Sequence, residues 1–207
     1  MIKNIVFDMG NVLILYDADK ILRRYLDNQE DIDIIKNQIM ASREWQEYDR
    51  GTVEKDSFLP LIRALPAHLQ TLVHRILLEQ CFAEKEMPPF PQTEELVKKL
   101  SANGYGIYLL SNAGQDFYHY SKGIPALRYF DFCFVSSDYK LLKPEPAIYE
   151  RFFSVTGLAR SECVFVDDMP ANVQGSIAAG MDAICFTPSK SDISELYTAL
   201  RARGVNI

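Results

Sequence analysis

Residues 4–13 read NIVFDMGNVL. Ile5, Val6 and Phe7 are consecutive large apolar residues with no polar residue alternating among them. A half-solvated strand alternates, whereas a strand buried on both faces reads as a continuous apolar run. This run stops on a single carboxylate, Asp8, and Gly10 stands two residues further on. The stretch therefore predicts a central parallel strand that delivers one acid at its carboxyl end.

Working outward, four more runs share this texture: GIYLLSN (106–112), FDFCFVSSD (130–138), CVFVDD (163–168) and AICF (183–186). Each is short, rich in Val, Ile, Phe or Tyr, and bounded by turn formers. Helical stretches separate them. TEELVKKLSANG (93–104) has Thr93 as its expected N-cap and Gly104 as its stop. PAIYERFFSVTG (146–157) opens on Pro146 and ends on Gly157, and ANVQGSIAAG (171–180) ends on Gly180. Strand and helix in alternation predict a three-layer α/β fold, a Rossmann-like parallel sheet with right-handed crossovers.

Residues 15–89 have a different pattern. ADKILRRYLDN, DIDIIKNQIMASREWQEYDRG, EKDSFLPLIRAL and AHLQTLVHRILLEQCFAEK carry helical periodicity and no strand. Gly51 is a stop followed by a restart, and the prolines of MPPFPQ (87–92) mark the return. The expected organisation is an α/β core domain of residues 1–14 and 90–207, with an all-helical cap domain of residues 15–89 inserted after the first strand.

The chain has 207 residues, 48% hydrophobic and 24% charged, with a net charge of −6. That balance is globular and argues against a nucleic-acid surface, which needs clustered excess Lys and Arg. No run approaches the ~18 apolar residues of a membrane span. Asp8 and Gly10 interrupt the apolar stretch that a secretory signal would need. Cys81, Cys133, Cys163 and Cys185 lack zinc-like spacing and are expected to be reduced and buried. A cytoplasmic location is expected, and monomer and homodimer both remain open.

The polar residues cluster at strand ends. Asp8 follows the first run, Ser111 and Asn112 the second, Ser136, Ser137, Asp138 and then Lys143-Pro144 the third, and Asp167-Asp168 the fourth. In an open α/β sheet the crevice outside the carboxyl ends of the strands binds ligands, so these groups should converge. Several carboxylates together repel unless a cation lies among them, and a few oxygen ligands suit Mg²⁺ beside a substrate phosphate.

Four motifs in this order, FDMGNVL (7–13), LLSNA (109–113), KPEPAIY (143–149) and FVDDMPANVQGSIAAGM (165–181), resemble those of the haloacid dehalogenase superfamily of hydrolases with a helical cap. The DxGNV form is similar to that of sugar-phosphate phosphatases, the α-glucose-1-phosphate type among them. The resemblance implies a Mg²⁺-dependent phosphatase for a small phosphorylated substrate, a hexose 1-phosphate being the favoured example. Asp8 would be the nucleophile and Lys143 would hold the anionic centre. Ser111 with the backbone N–H groups of Asn112 and Ala113 would hold phosphate. Asp8, the Gly10 carbonyl, Asp168 and Asp167 would hold the metal, and Asn172 would orient these groups.

Gly10 departs from the family pattern. Most phosphatases of the superfamily carry a second aspartate there, whose side chain protonates the leaving oxygen. Such help is worth ~10²–10⁴ in rate. The site must therefore be slow, use an easily expelled group, or recruit an acid elsewhere. His68 and His74 fall on a helical pattern and read as surface residues. Trp45, Glu47, Tyr48 and Arg50 precede the Gly51 break, and could face the crevice or simply serve helix packing and solvation. Two further functions stay open: a phosphometabolite-binding or partner-binding protein without catalysis, and a 2-haloacid dehalogenase, whose relatives also lack the second acid.

Overall fold

A computed structural model of the chain describes residues 1–79, 87–188 and 190–207. Five strands form one parallel sheet: β1 (Asn4–Phe7), β2 (Gly106–Ser111), β3 (Phe132–Val135), β4 (Cys163–Asp167) and β5 (Asp182–Cys185), in the order β3-β2-β1-β4-β5. The strand built on the opening stretch is central. Ile5 pairs with Ile107 on one side and Val164 on the other. Parallel strands buried on both faces must be covered by helices on both sides, and they are.

Eleven α-helices accompany the strands among the described residues. Between β1 and β2 lie α1 (Ala18–Leu22), α2 (Gln29–Ile35), α3 (Arg43–Arg50), α4 (Leu59–Ala64), α5 (Ala67–His74) and α6 (Pro91–Ala102). Then follow α7 (Phe117–Tyr120), α8 (Ser136–Tyr139), α9 (Pro146–Thr156), α10 (Pro170–Ala178) and α11 (Ile193–Arg201). The period-2 alternation of the strands divides their side chains between two layers. Ile5, Phe7, Val164 and Val166 pack with Leu96 and Leu100 of α6 and Leu196 and Leu200 of α11. Val6, Phe134 and Phe165 face Ile148 and Phe152 of α9 and Val173 of α10.

Helices α1–α5 build a core of their own, with Ile21, Ile32, Ile39, Phe58, Leu69 and Val73 among its buried residues. The segment leaves and re-enters the sheet region side by side. Leu15 N–H donates to the Pro88 carbonyl (2.9 Å) and Phe90 N–H to that of Leu13 (2.8 Å). The MPPFPQ stretch is thus a paired return strap. Among the described residues no helix is long and apolar enough to cross a membrane.

Several local expectations need correction. Ser136–Tyr139 continue the third strand not as strand but as the turn of α8, where the Ser136 hydroxyl accepts the Ala113 N–H and donates to the Asp49 carbonyl. Thr93 does not cap α6, which begins at Pro91 after Phe90, and Thr93 is wholly buried. The preset φ of proline opens the helix a turn earlier. The long stretch 31–51 breaks at Ser42, whose hydroxyl oxygen accepts the Trp45 N–H and starts α3 anew. Gly51, Gly157 and Gly180 do stop or follow their helices at positive φ. Of the cysteines, Cys163 is buried, Cys133 half-buried and Cys185 exposed, so burial was right for one of the described three. Cys81 and the C-terminal end of the fourth helical stretch lie outside the described residues.

Candidate active site

β1, β2 and β4 end in register, which brings Asp8, Ser111 and Asp167 to one edge. Lys143, from the loop before α9, completes the cluster. Its Nζ donates to Asp8 Oδ1 (2.7 Å), Asp167 Oδ2 (2.7 Å) and the Leu110 carbonyl (2.8 Å). All three charged groups are buried. A buried ammonium with three acceptors is fully satisfied, whereas an unpaired one would be prohibitively costly. The Lys143 backbone is gripped by Asn112, which accepts its N–H (2.9 Å) and donates to its carbonyl (3.0 Å).

Asp167 is tied on every side. Asn172 Nδ2 reaches both its oxygens (3.0 and 3.1 Å), and Met169 N–H donates to Oδ1 (2.8 Å). Asn172 is held in turn, its carbonyl accepting the Tyr149 hydroxyl (2.8 Å). Asp168 is half-buried and accepts one side-chain bond, from Asn11 Nδ2 (3.2 Å). Asn11 sits at φ 53°, a conformation asparagine tolerates. The turn after Asp8 folds the Val12, Leu13 and Ile14 N–H groups onto the Met9 carbonyl (3.3, 2.9 and 3.2 Å) and leaves the Gly10 carbonyl out of that bonding.

Asp8, Asp167 and Asp168 each offer an oxygen within 4.8 Å of the others. Burial pushes the Asp8 carboxyl up to about 7, with Lys143 opposing and Asp167 adding to the rise. Burial also works against the Lys143 ammonium, but the two carboxylates outweigh it and its pKa is raised. Burial raises Asp168 as well. Three carboxyls sharing one lysine are short of positive charge, the donor set that a divalent cation fits. Asp167 has its lone pairs largely engaged by protein, so Asp8 and Asp168 are the freer oxygens.

The edge opens into a cavity of about 310 Å³. Its floor holds Asp8, Gly10, Ser111, Lys143 and Asp168, while Ile14, Tyr16, Trp45, Tyr48, Phe58 and Met87 contribute apolar and aromatic wall. Trp45 and Tyr48 thus face the crevice. Arg50 instead forms a two-pronged ion pair with Glu145 (2.6 and 2.8 Å), and Glu47 accepts from Thr52. His68 and His74 pair with Asp31 and Glu79 at the exposed surface, away from the cavity.

One expected phosphate donor is already used: Ala113 N–H donates to Ser136 Oγ (2.8 Å). Ser136 then donates to the Asp49 carbonyl (2.6 Å), tying β2's loop to α3. Ser136 was expected among the strand-end groups, whereas the roles of Asn11 and above all Asp49, whose Oδ1 accepts the Gly114 N–H (3.1 Å), were not legible. Asp49 lies in a charged stretch, QEYDRG, that reads as a solvated helix face. The only available signal was its helical spacing of four from Trp45.

The chain is similar to a sesquiterpene phosphatase of Aspergillus oryzae, 25% identical over 195 residues and spanning 94% of each chain. It is also similar to a D-ribitol-5-phosphate phosphatase of Bacteroides thetaiotaomicron, 27% identical over 186 residues, covering 84% of this chain and 86% of that one. Its fold matches that of a HAD family enzyme of Bacteroides thetaiotaomicron solved with magnesium and inorganic phosphate, with a TM-score of 0.68 at 21% identity over 95% of this chain and 100% of that one. The haloacid dehalogenase-like hydrolase family model matches residues 2–180. That match spans most of the chain, and the chain belongs to the haloacid dehalogenase-like hydrolases.

Proposed function

We propose that the chain is a Mg²⁺-dependent phosphatase that hydrolyses a small phosphomonoester through an aspartyl-phosphate on Asp8. The observation that carries this reading is the charge arrangement at the sheet edge: Asp8 faces the cavity, Lys143 bridges it to Asp167, and Asp168 stands beside them. Asp8, Asp168 and the Gly10 carbonyl, with Asp167 alongside, are the residues that would hold the ion. When bound there, Mg²⁺ supplies charge neutralisation for the phosphate.

The protein's own groups do the rest. Asp8, held by its lysine, attacks phosphorus as the carboxylate. Lys143 balances the charge that accumulates between nucleophile and phosphate. The Ser111 hydroxyl and the Asn112 backbone are the donors for phosphate oxygens, which gain charge in the transition state. Asn112 and Asn172 hold Lys143 and Asp167 so that none of these groups reorganises during reaction. Helices α1–α5 act as the cap that closes over the alcohol part of the substrate.

A hexose 1-phosphate is the substrate that the sequence resemblance favours. The largely aromatic and apolar walls favour an alcohol with an apolar face, with Asp49, Lys55 and Asp116 as the few polar partners a sugar hydroxyl would find there. A panel of sugar 1- and 6-phosphates, acyl phosphates, prenyl phosphates and nucleotides, each with and without Mg²⁺, tests the reading by phosphate release. Trp45, the single tryptophan, lines the cavity and reports binding by its fluorescence. Absence of phosphate release from every member overturns the phosphatase reading. In that event a fluorescence change without turnover supports a binding protein, and chloride release from 2-chloropropionate supports a dehalogenase.

A further inference from the structure

Gly10 leaves the leaving oxygen without a proton donor from the sheet edge, and the fold does not impose this glycine. Gly10 is absent from the positive-φ residues. A Cβ there would meet only Tyr16 Cβ, at an ordinary 3.9 Å. The acid is missing from a place with room for one, so the proton must come from elsewhere or not at all.

In phosphoryl transfer the nucleophile and the leaving oxygen lie roughly in line on opposite sides of phosphorus. Asp8 rises from the floor of the cavity, so the leaving oxygen points toward the helical segment. One carboxyl of that segment lines the same cavity: Asp49, at the last turn of α3. Its Oδ1 accepts the Gly114 N–H (3.1 Å), three residues beyond Ser111, and the Trp45 side chain also bonds to it. Among the described residues no cation pairs with it. The nearby Lys55 is engaged by Asp116 (2.8 Å) and the adjacent Arg50 by Glu145. Lys55 and Asp116 also line the cavity, and the other titratable groups there are Tyr16, Tyr48 and Tyr120 on its walls and Asp8, Lys143 and Asp168 at its floor. A carboxyl in this setting is not needed for charge pairing and is poised to carry a proton.

We propose that Asp49 is the general acid and base that Gly10 cannot be. The proposal rests on the phosphatase reading above. As the Asp8 oxygen–phosphorus bond forms, the bond from phosphorus to the leaving oxygen breaks. That oxygen keeps the electron pair and takes the proton of the Asp49 carboxyl, leaving as an alcohol. The Asp49 carboxylate then takes a proton from a water whose oxygen attacks phosphorus. Asp8 is expelled as a carboxylate, inorganic phosphate departs, and Asp49 is again protonated. Burial pushes the Asp49 carboxyl up to about 7, near the value at which one group serves both steps at neutral pH.

The test uses the full chain with Mg²⁺ and two phosphate esters of similar shape that suit the apolar walls. 4-Nitrophenyl phosphate expels a good leaving group that needs little protonation, and benzyl phosphate expels a poor one that needs much. In Asp49→Asn the amide oxygen can still accept the Gly114 N–H, so docking of α3 is preserved while the proton is lost. We expect kcat/KM for benzyl phosphate to fall by ~10²–10⁴, the usual worth of an acid, and by tenfold or less for 4-nitrophenyl phosphate. The ratio of the two losses within one variant is independent of how much protein is folded. The wild-type benzyl phosphate profile should decline as pH rises through about 7, and this limb should vanish in the variant. Equal losses on both esters, or no loss on benzyl phosphate, overturn the role of Asp49 and leave the phosphatase reading standing. If the wild type hydrolyses neither ester, Asp49→Asn is compared with it on the panel substrate it does hydrolyse, where an unchanged rate overturns the role of Asp49, and a wild type that releases phosphate from no ester and no panel member overturns both.

Discussion

The carboxyl edge of the sheet and the helical segment above it carry their polar groups in different ways. At the sheet edge Asp8, Lys143, Asp167 and Asn172 are buried and joined by bonds of 2.7–3.1 Å, so each of these side chains is tied to another that a strand end or a helix start holds in place. The helical segment has an apolar core, and it presents to the cavity aromatic faces and one carboxyl without a cation. A buried charge network tolerates almost no change, because removing one member strands the others. An apolar wall tolerates reshaping. The difference places the proposed attack on phosphorus on the rigid edge, and the proposed proton transfer and the choice of alcohol on the helical segment.

The largest effect that would break this division is at the nucleophile. Asp8→Asn should lower kcat/KM by ~10⁴-fold or more, with the Lys143 contact retained by the amide oxygen. Steady-state phosphate release measures it, and a variant that still turns over would move the chemistry away from the sheet edge. Lys143→Met should cost about 3–5 kcal/mol of stability in urea, because Asp8 and Asp167 are left as uncompensated buried charges. A nearly neutral result would mean that the network is less desolvated than its geometry implies.

Leu69→Ala removes a wholly buried side chain from the helical core and should cost about 2–5 kcal/mol. If the two regions are separate cooperative units, amide exchange should accelerate in α2–α5 while β1 and β4 stay protected. Equal acceleration in the sheet would merge them into one. Asp49 gives a smaller, pH-dependent contrast. Its folded pKa, about 7, lies above its ordinary value, so the unfolded chain releases this proton first and stability falls as pH rises from about 4 to 7. The thermal midpoint of the wild type should therefore drop more between pH 5 and 8 than that of Asp49→Asn. Smallest is Arg50→Ala, which breaks a partly exposed pair with Glu145 between α3 and the start of α9 and should cost within about 1 kcal/mol.

The parallel sheet was legible because each strand announces itself locally. NIVF, GIYLLS and CVFVD are apolar runs whose ends fall on the acids and hydroxyls of the site. Asp8, Ser111, Lys143, Asp167 and Asp168 could be foreseen at one edge because parallel strands share a direction, so their carboxyl ends coincide wherever the strands are placed. That Asn172 orients the site's charged groups was implied only by the family resemblance of its motif, since its place in the first turn of the helix after β4 reads equally as a surface polar residue. Misreadings arose where side chains compete with the backbone: Ser136 was drawn off a strand, Ser42 split a helix, and Thr93 was buried where a cap was expected.

Sequence alone determined the sheet, the inserted helical segment and the cluster of charges, since period and chain direction are properties of neighbouring residues. Only the tertiary structure decided what faces that cluster. The seating of Asp49 on the Gly114 N–H, the claim of Ser136 on the Ala113 N–H, and the turning of Arg50 away toward Glu145 depend on how α3 docks across the strand ends. Such contacts join residues tens of positions apart, and no local pattern records them.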